Sequence, residues 1–185
     1  MESKTDIIWL ERVDSTNDEA RRHISEIDNL SVVSALEQTK GRGQRGNRWS
    51  SQPGENLTFS LVVKDFRIKA NELSAISQAT ALSLVDLLSR HEIKARIKWP
   101  NDIYAGDEKI CGILIENSLN GSEIDWSIIG IGLNVNQTSF PDNLPNPTSM
   151  RIENEGANIE DLVSEFMDIF TRHASELSQL QDPQP

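Results

Sequence analysis

Four of the eighteen Lys and Arg residues of this chain, Lys40, Arg42, Arg45 and Arg48, fall within nine positions of a protein whose net charge is -11. They lie in the stretch 38–51, QTKGRGQRGNRWSS, interleaved with Gly41, Gly43 and Gly46. Glycine lets the backbone turn and bring N–H groups close to a ligand, and guanidinium groups supply planar, charge-assisted hydrogen bonds. The combination suits an anion, phosphate or carboxylate. Gly41 to Gly46 also satisfies G-x-G-x-x-G, but that fingerprint opens a helix, and Pro53-Gly54 soon afterwards signals a turn. A P-loop fails as well, because Asn47-Arg48 stands where Lys and Ser/Thr belong. The remaining alternative is a solvated polar loop with no ligand.

Three further segments carry candidate chemistry. Lys98-Trp99-Pro100-Asn101-Asp102 places a cation, an aromatic ring and two oxygen-bearing side chains between two expected strands. Asp102 and Asn101 are oxygen ligands of the kind that bind Mg²⁺, while Lys98 suits phosphate; a plain strand connection with a packed Trp is the alternative. Lys109 stands at the edge of the apolar run 110–115, either facing a ligand or simply solvated at a hairpin. Gly112, Gly130 and Gly132 interrupt strands, which calls for a closely approaching flat ligand or, at 130–132, a β-bulge. Cys111 reads as a buried small hydrophobe, and His23, His91 and His173 read as surface residues without metal-ligand spacing.

These residues need a scaffold, and 185 residues with 37% hydrophobic content suffice for one domain with a substantial core. A single cysteine excludes an internal disulfide framework. No apolar run is long enough to cross a bilayer and no signal peptide is evident, so the expected location is cytoplasmic, with no membrane partner. The acidic balance disfavours nucleic acid. Strands are expected over 7–13, 31–36, 56–64, 96–99, 103–104, 110–115 and 126–135. Helices are expected over 17–27, with Thr16 and Glu19 as a capping box, and from Leu73 to the neighbourhood of 89–92. A last amphipathic helix presents Ile159, Leu162, Val163, Phe166, Ile169 and Phe170 on one face, after a Pro-rich connection over 141–147. The fold class is α+β, a mixed and mostly antiparallel sheet with helices packed on one face, without the parallel alternation of a doubly wound sheet.

Asp14-Ser15-Thr16-Asn17, the 38–51 loop, the segment 98–102, Lys109 with 112–116, and 130–136 occur in the order found in biotin protein ligases. The chain resembles the catalytic domain of that family over about 7–149, with a fold akin to class II aminoacyl-tRNA synthetases. The resemblance implies ATP-dependent activation of biotin to biotinyl-5'-adenylate, then transfer to a lysine of a biotin carboxyl carrier protein, of acetyl-CoA carboxylase or a related carboxylase. By the same resemblance Ser15, Thr16, Asn17, Gln38, Arg42, Gly43, Gln44, Lys109, Gly112, Gly130 and Gly132 bind biotin. Arg45, Arg48, Trp49, Asn101 and Asn134 bind ATP, Lys109, Arg42 and Lys98 are catalytic, and Asp102 holds Mg²⁺. A homodimer is compatible with this assignment.

Three departures qualify the match. Gln44 stands where some members carry Arg, so the adenylate is expected to be held less tightly. Nothing before Ile7 corresponds to a winged helix-turn-helix, so repression is not expected. The catalytic domain fills 1–180 with a tail over 181–185, and no SH3-like barrel is expected after it. Lipoate and octanoate transferases are the nearest rival enzymes, although the 38–51 loop lacks their Arg-Arg and consecutive glycines. A noncatalytic module binding single-stranded nucleic acid through the Arg/Gly/Trp loop is the remote alternative.

Overall fold

The computed structural model describes residues 5–64, 73–121 and 123–181. Seven strands form one sheet: β1 (Ile7–Val13), β2 (Ser31–Gln38), β3 (Leu57–Lys64), β4 (Ala95–Lys98), β5 (Asp102–Ala105), β6 (Glu108–Asn120) and β7 (Glu123–Leu133). Their spatial order is β1-β2-β3-β7-β6-β5-β4, and every pairing is antiparallel except β1 with β2. The helices are α1 (Thr16–Arg22), α2 (Leu73–Arg90), α3 (Met150–Glu153) and α4 (Ile159–Gln181). This is the expected α+β class, with one addition: β1, α1 and β2 make a single parallel β-α-β unit.

Alternation along the strands sorts the two faces. Leu57, Phe59, Leu61 and Val63 of β3 join Ile129, Ile131 and Leu133 of β7 in the main core. Onto that face pack α2, through Ile76, Leu84, Leu87 and Leu88, and α4, through Leu162, Val163, Phe166, Ile169 and Phe170. Phe59 and Phe166 meet edge to face at 5.2 Å, a preferred aromatic geometry. The other face of the sheet carries a small cluster of Ala20, Ile27, Val33, Val62 and Ile128, covered by α1. The two long helices therefore share one face as expected, and the short α1 lies across the other.

Several boundaries differ from the sequence reading. Helix α1 ends at Arg22, and the capping box does not form: the N-cap is Ser15, and Thr16 turns its hydroxyl to Gln38 instead. The tail 182–185 lies outside the described residues. Gly106 has φ +56 at the β5–β6 turn, a conformation glycine adopts without the Cβ clash.

Register explains how the site face is built. Directly opposed residues in antiparallel strands share a face. One row across the sheet is Ser60, Gly130 and Leu114; the next is Thr58, Gly132, Gly112 and Asp102. No register shift falls at 130–132, so the strand glycines do not mark a bulge. A shift does fall between β5 and β6, where Ile103 opposes Cys111 but Tyr104 opposes Lys109, leaving Ile110 as the extra residue. Both Ile110 and Cys111 are fully buried in the core. Strict alternation from Cys111 puts Lys109 on the core side; the extra residue re-aims it to the site face.

Candidate active site

A cleft of about 290 Å³ opens on the α1 face of the sheet. Its lining includes Ser15, Thr16, Asn17, Gln38, Arg42, Gly43, Gln44, Arg45, Arg48, Trp49, Asn101, Asp102, Lys109, Gly112, Gly130 and Gly132, all from the sequence reading. Residues as far apart in the chain as Ser15 and Gly132 thus converge on one cavity.

At one end the cavity is neutral and densely hydrogen-bonded. Gln38 Oε1 accepts the Thr16 N–H at 2.8 Å and the Thr16 hydroxyl at 3.1 Å. Asn17 donates its amide to Leu114 O at 3.3 Å and to Glu116 Oε2 at 2.9 Å, while its Oδ1 accepts from Ser60 at 2.6 Å. Ser15, Thr16, Asn17 and Ser60 are all buried. Gly130 leaves the space Asn17 needs: a Cβ there would stand 3.0 Å from Asn17 Cγ and overlap its Oδ1.

The other end is charged. Lys109 Nζ lies 2.8 Å from Asp102 Oδ1 and 5.8 Å from the centroid of the Trp49 ring. The backbone of Lys109 is clamped by the segment 146–148, its N–H donating to Asn146 O at 2.7 Å and its carbonyl accepting from Thr148 N at 2.9 Å. Between the two ends, the indole of Trp49 lies against Gly112 and Gly132, and a Cβ at Gly132 would stand 2.6 Å from Trp49 Nε1. That Nε1 is buried and has no hydrogen-bond partner. The flat group that the strand glycines admit is, in this structure, Trp49 itself.

The glycine-arginine loop is a small closed hairpin. Trp49 donates to Gly41 O at 2.9 Å, Gly43 to Asn47 O at 2.8 Å, and Arg42 bridges Arg48 across it. A short 3-10 turn at Gln44–Gly46 forms the tip, with Gly46 at φ +80. Arg42 is not a free cation: it pairs with Asp18 Oδ1 at 2.6 Å and Glu116 Oε1 at 2.9 Å. Burial works against its charge, but these ion pairs outweigh burial and raise its pKa. Glu116 also takes Arg21 and the Asn17 amide. Burial alone raises a carboxyl pKa, yet the hydrogen bonds from Asn17, Arg42 and Arg21 hold that of Glu116 below its ordinary value of 4.5. A depressed pKa gives stability that is present above the ordinary value and lost as pH falls through the folded-state value. Thermal melts should therefore show the melting temperature falling below pH 4.5, with a shallower fall in Glu116→Gln. Identical acid slopes would remove Glu116 from that role.

Two expected site residues are not brought to the cavity. Lys98 points to Tyr104, with Nζ 3.0 Å from its hydroxyl and 4.4 Å from its ring centroid, and lies outside the lining. Asn134 is buried and donates to Thr148 O at 2.9 Å, where it braces the segment that clamps Lys109. The sequence reading missed Ser60 and gave Glu116 no part. A cue for Ser60 is the alternation in Leu57-Thr58-Phe59-Ser60-Leu61, which sets hydroxyls against apolar residues on opposite faces. Cys111 is fully buried, and burial pushes its thiol pKa up, which leaves it inert. Among the described residues no group of three or more His, Cys, Asp or Glu is placed to hold a metal ion. Nor is any described helix long and apolar enough to cross a membrane.

Residues 9–134 match the model of the biotin/lipoate A/B protein ligase family. The chain is 29% identical over 151 residues to the bifunctional ligase/repressor of Escherichia coli, spanning 80% of this chain and 46% of that protein. It is 34% identical over 128 residues to the biotin--[acetyl-CoA-carboxylase] ligase of Paracoccus denitrificans, spanning 68% and 53% respectively. The fold superposes on the biotin protein ligase of Aquifex aeolicus, solved in complex with biotin and ATP, with a TM-score of 0.77 at 27% identity. That match covers 94% of this chain and 72% of the Aquifex chain. The chain thus spans about half the length of these curated relatives. With the cleft, its glycine floor and the cationic loop all inside the matched span, the chain belongs to the biotin/lipoate A/B protein ligase family.

Proposed function

We propose that the chain activates biotin with ATP and transfers the biotinyl group to a lysine of a biotin carboxyl carrier protein. The observation that carries this reading is the polarity of the cleft, with a neutral hydrogen-bonding pocket at one end and the Lys109–Asp102 pair at the other. An uncharged ureido ring needs N–H and C=O partners without net charge, which Thr16, Asn17 and Gln38 supply. An apolar acyl head would leave those buried groups facing hydrocarbon, which disfavours lipoate and octanoate. The Aquifex relative, by its description, binds biotin and ATP.

In the first step a biotin carboxylate oxygen attacks the α-phosphorus of ATP, and the bond to the bridging oxygen breaks to release pyrophosphate. Two anions must meet, so fixed positive charge is required where negative charge gathers. Lys109 is the cation placed for this, held by Asp102 and by its clamped backbone. In the second step the neutral amine of the acceptor lysine attacks the mixed-anhydride carbonyl, the acyl–oxygen bond breaks, and AMP leaves. The loop over 41–49 covers the anhydride and excludes water. Trp49, with its unpartnered Nε1, and Asn101 belong to the ATP side, and Arg45 at the loop tip and Arg48 on the hairpin arm reach the phosphates.

Among the described residues none forms a metal cage: Asp102 is the one carboxylate they give the lining, and Lys109 already holds it. Mg²⁺ is assigned to the phosphates of ATP, as is common for this ion, and no step above depends on a protein-bound metal. No catalytic part is assigned to Lys98. The cytoplasm is the proposed location, where ATP and carboxylases reside. Incubation with ATP, Mg²⁺, biotin and a carrier domain should yield a biotinylated lysine by mass spectrometry; an unmodified carrier alongside formed adenylate would exclude the transfer step. Gln44 lines the cleft at the loop tip, where an Arg would add a cation. Gln44→Arg should slow adenylate release several-fold, at about 1 kcal/mol for one added charge-assisted contact. Unchanged release in a rapid-filtration assay would contradict it.

A further inference from the structure

Ser60 sits at the middle of β3, fully buried, with Val33 and Gly130 opposite it on the neighbouring strands. Its hydroxyl oxygen is 2.8 Å from Thr16 Oγ1 and 2.6 Å from Asn17 Oδ1. A hydroxyl has one proton, and an amide oxygen only accepts. The Asn17 amide cannot flip, because its Nδ2 faces two atoms that accept, Leu114 O and the ionised Glu116 Oε2. Two oxygens 2.6 Å apart need a proton between them, and Asn17 Oδ1 has none, so Ser60 donates to Asn17. Ser60 then accepts from Thr16, whose single proton turns to this 2.8 Å contact and away from the longer 3.1 Å one with Gln38 Oε1. Gln38 Oε1, which accepts the Thr16 N–H, thus keeps its second lone pair open.

We propose that Ser60 is a positioning residue that sets the ligand specificity of the head pocket. By drawing the Thr16 proton to itself it leaves Gln38 Oε1 open to an N–H of a cyclic urea, without needing to touch the ligand. This rests on the reading of the cleft as a biotin site. Ser60 lies outside the cavity lining, behind Thr16 and Asn17, which belong to it. Its loss leaves Asn17 Oδ1 without its buried donor and returns the Thr16 proton to Gln38 Oε1, so the two orientations no longer depend on one another.

The test is calorimetric titration of the whole chain with biotin, paired with steady-state pyrophosphate release. Ser60→Ala and Ser60→Cys should both raise the biotin Kd and KM about tenfold or more, the scale of an unmade buried hydrogen bond, with kcat near wild type. Cysteine fills the space that alanine empties but donates weakly, so a loss shared by both variants reports the hydrogen bond and not a void. Ser34→Ala is the control: that buried hydroxyl bonds Thr58 O at 3.1 Å and lies outside the cleft, so its loss should leave biotin affinity unchanged. Wild-type affinity in Ser60→Cys, or an equal loss in Ser34→Ala, would overturn the proposal. Absence of biotin binding in the wild type would instead overturn the biotin reading on which it stands.

Discussion

Replacing Lys109 with alanine is expected to slow formation of biotinyl-adenylate by about 10²–10³-fold, the cost of removing one preorganised donor from a developing anion. The structure gives the reasons. The bulge at Ile110 turns Lys109 out of the core, the segment 146–148 fixes its backbone, and Asp102 fixes its ammonium 2.8 Å away. A charge already in place needs no reorganisation as the reaction proceeds. The loss should fall on kcat, because the interaction strengthens as the carboxylate and phosphate come together. Pre-steady-state pyrophosphate release measures it directly. An unchanged rate would return Lys109 to a solvated hairpin lysine.

The glycines of β7 should separate the two substrates. Gly130→Ala pushes a methyl into the Asn17 amide and breaks its hydrogen bonds to Ser60 and Glu116. At about 1–3 kcal/mol for each buried group left unpaired, the biotin KM should rise about 10–100-fold or more. Gly132→Ala instead lifts Trp49 from the floor, so the ATP KM should rise and the biotin KM change less. Melting curves identify any variant that fails to fold. Equal effects of both substitutions on both substrates would show that the glycines serve the sheet and not two separate subsites.

What the sequence made legible was local. Spacing exposed the cationic loop, the glycines inside apolar runs and the hydrophobic faces of α2 and α4, because each is a pattern along a single segment. Pairing between segments was not legible. Nothing near Arg42 in the sequence says that Asp18 and Glu116 neutralise it, and nothing near Lys98 says that Tyr104 holds it away from the cleft. The extra residue at Ile110 depends on β5 opposing β6, so the aim of Lys109 was hidden as well. The glycines illustrate both sides. Their need for a close neighbour was readable, while the identity of the neighbours, Asn17 and Trp49, came from the fold.

The proposed biotin activation rests on a neutral hydrogen-bonding pocket joined to a fixed cation. Pyrophosphate release and acyl-adenylate mass, measured with ATP and Mg²⁺ in parallel reactions containing biotin, lipoate or octanoate, test it most directly. Adenylate and pyrophosphate should form with biotin at rates far above those with the other two acids. No turnover with biotin, or faster turnover with lipoate or octanoate, would contradict it.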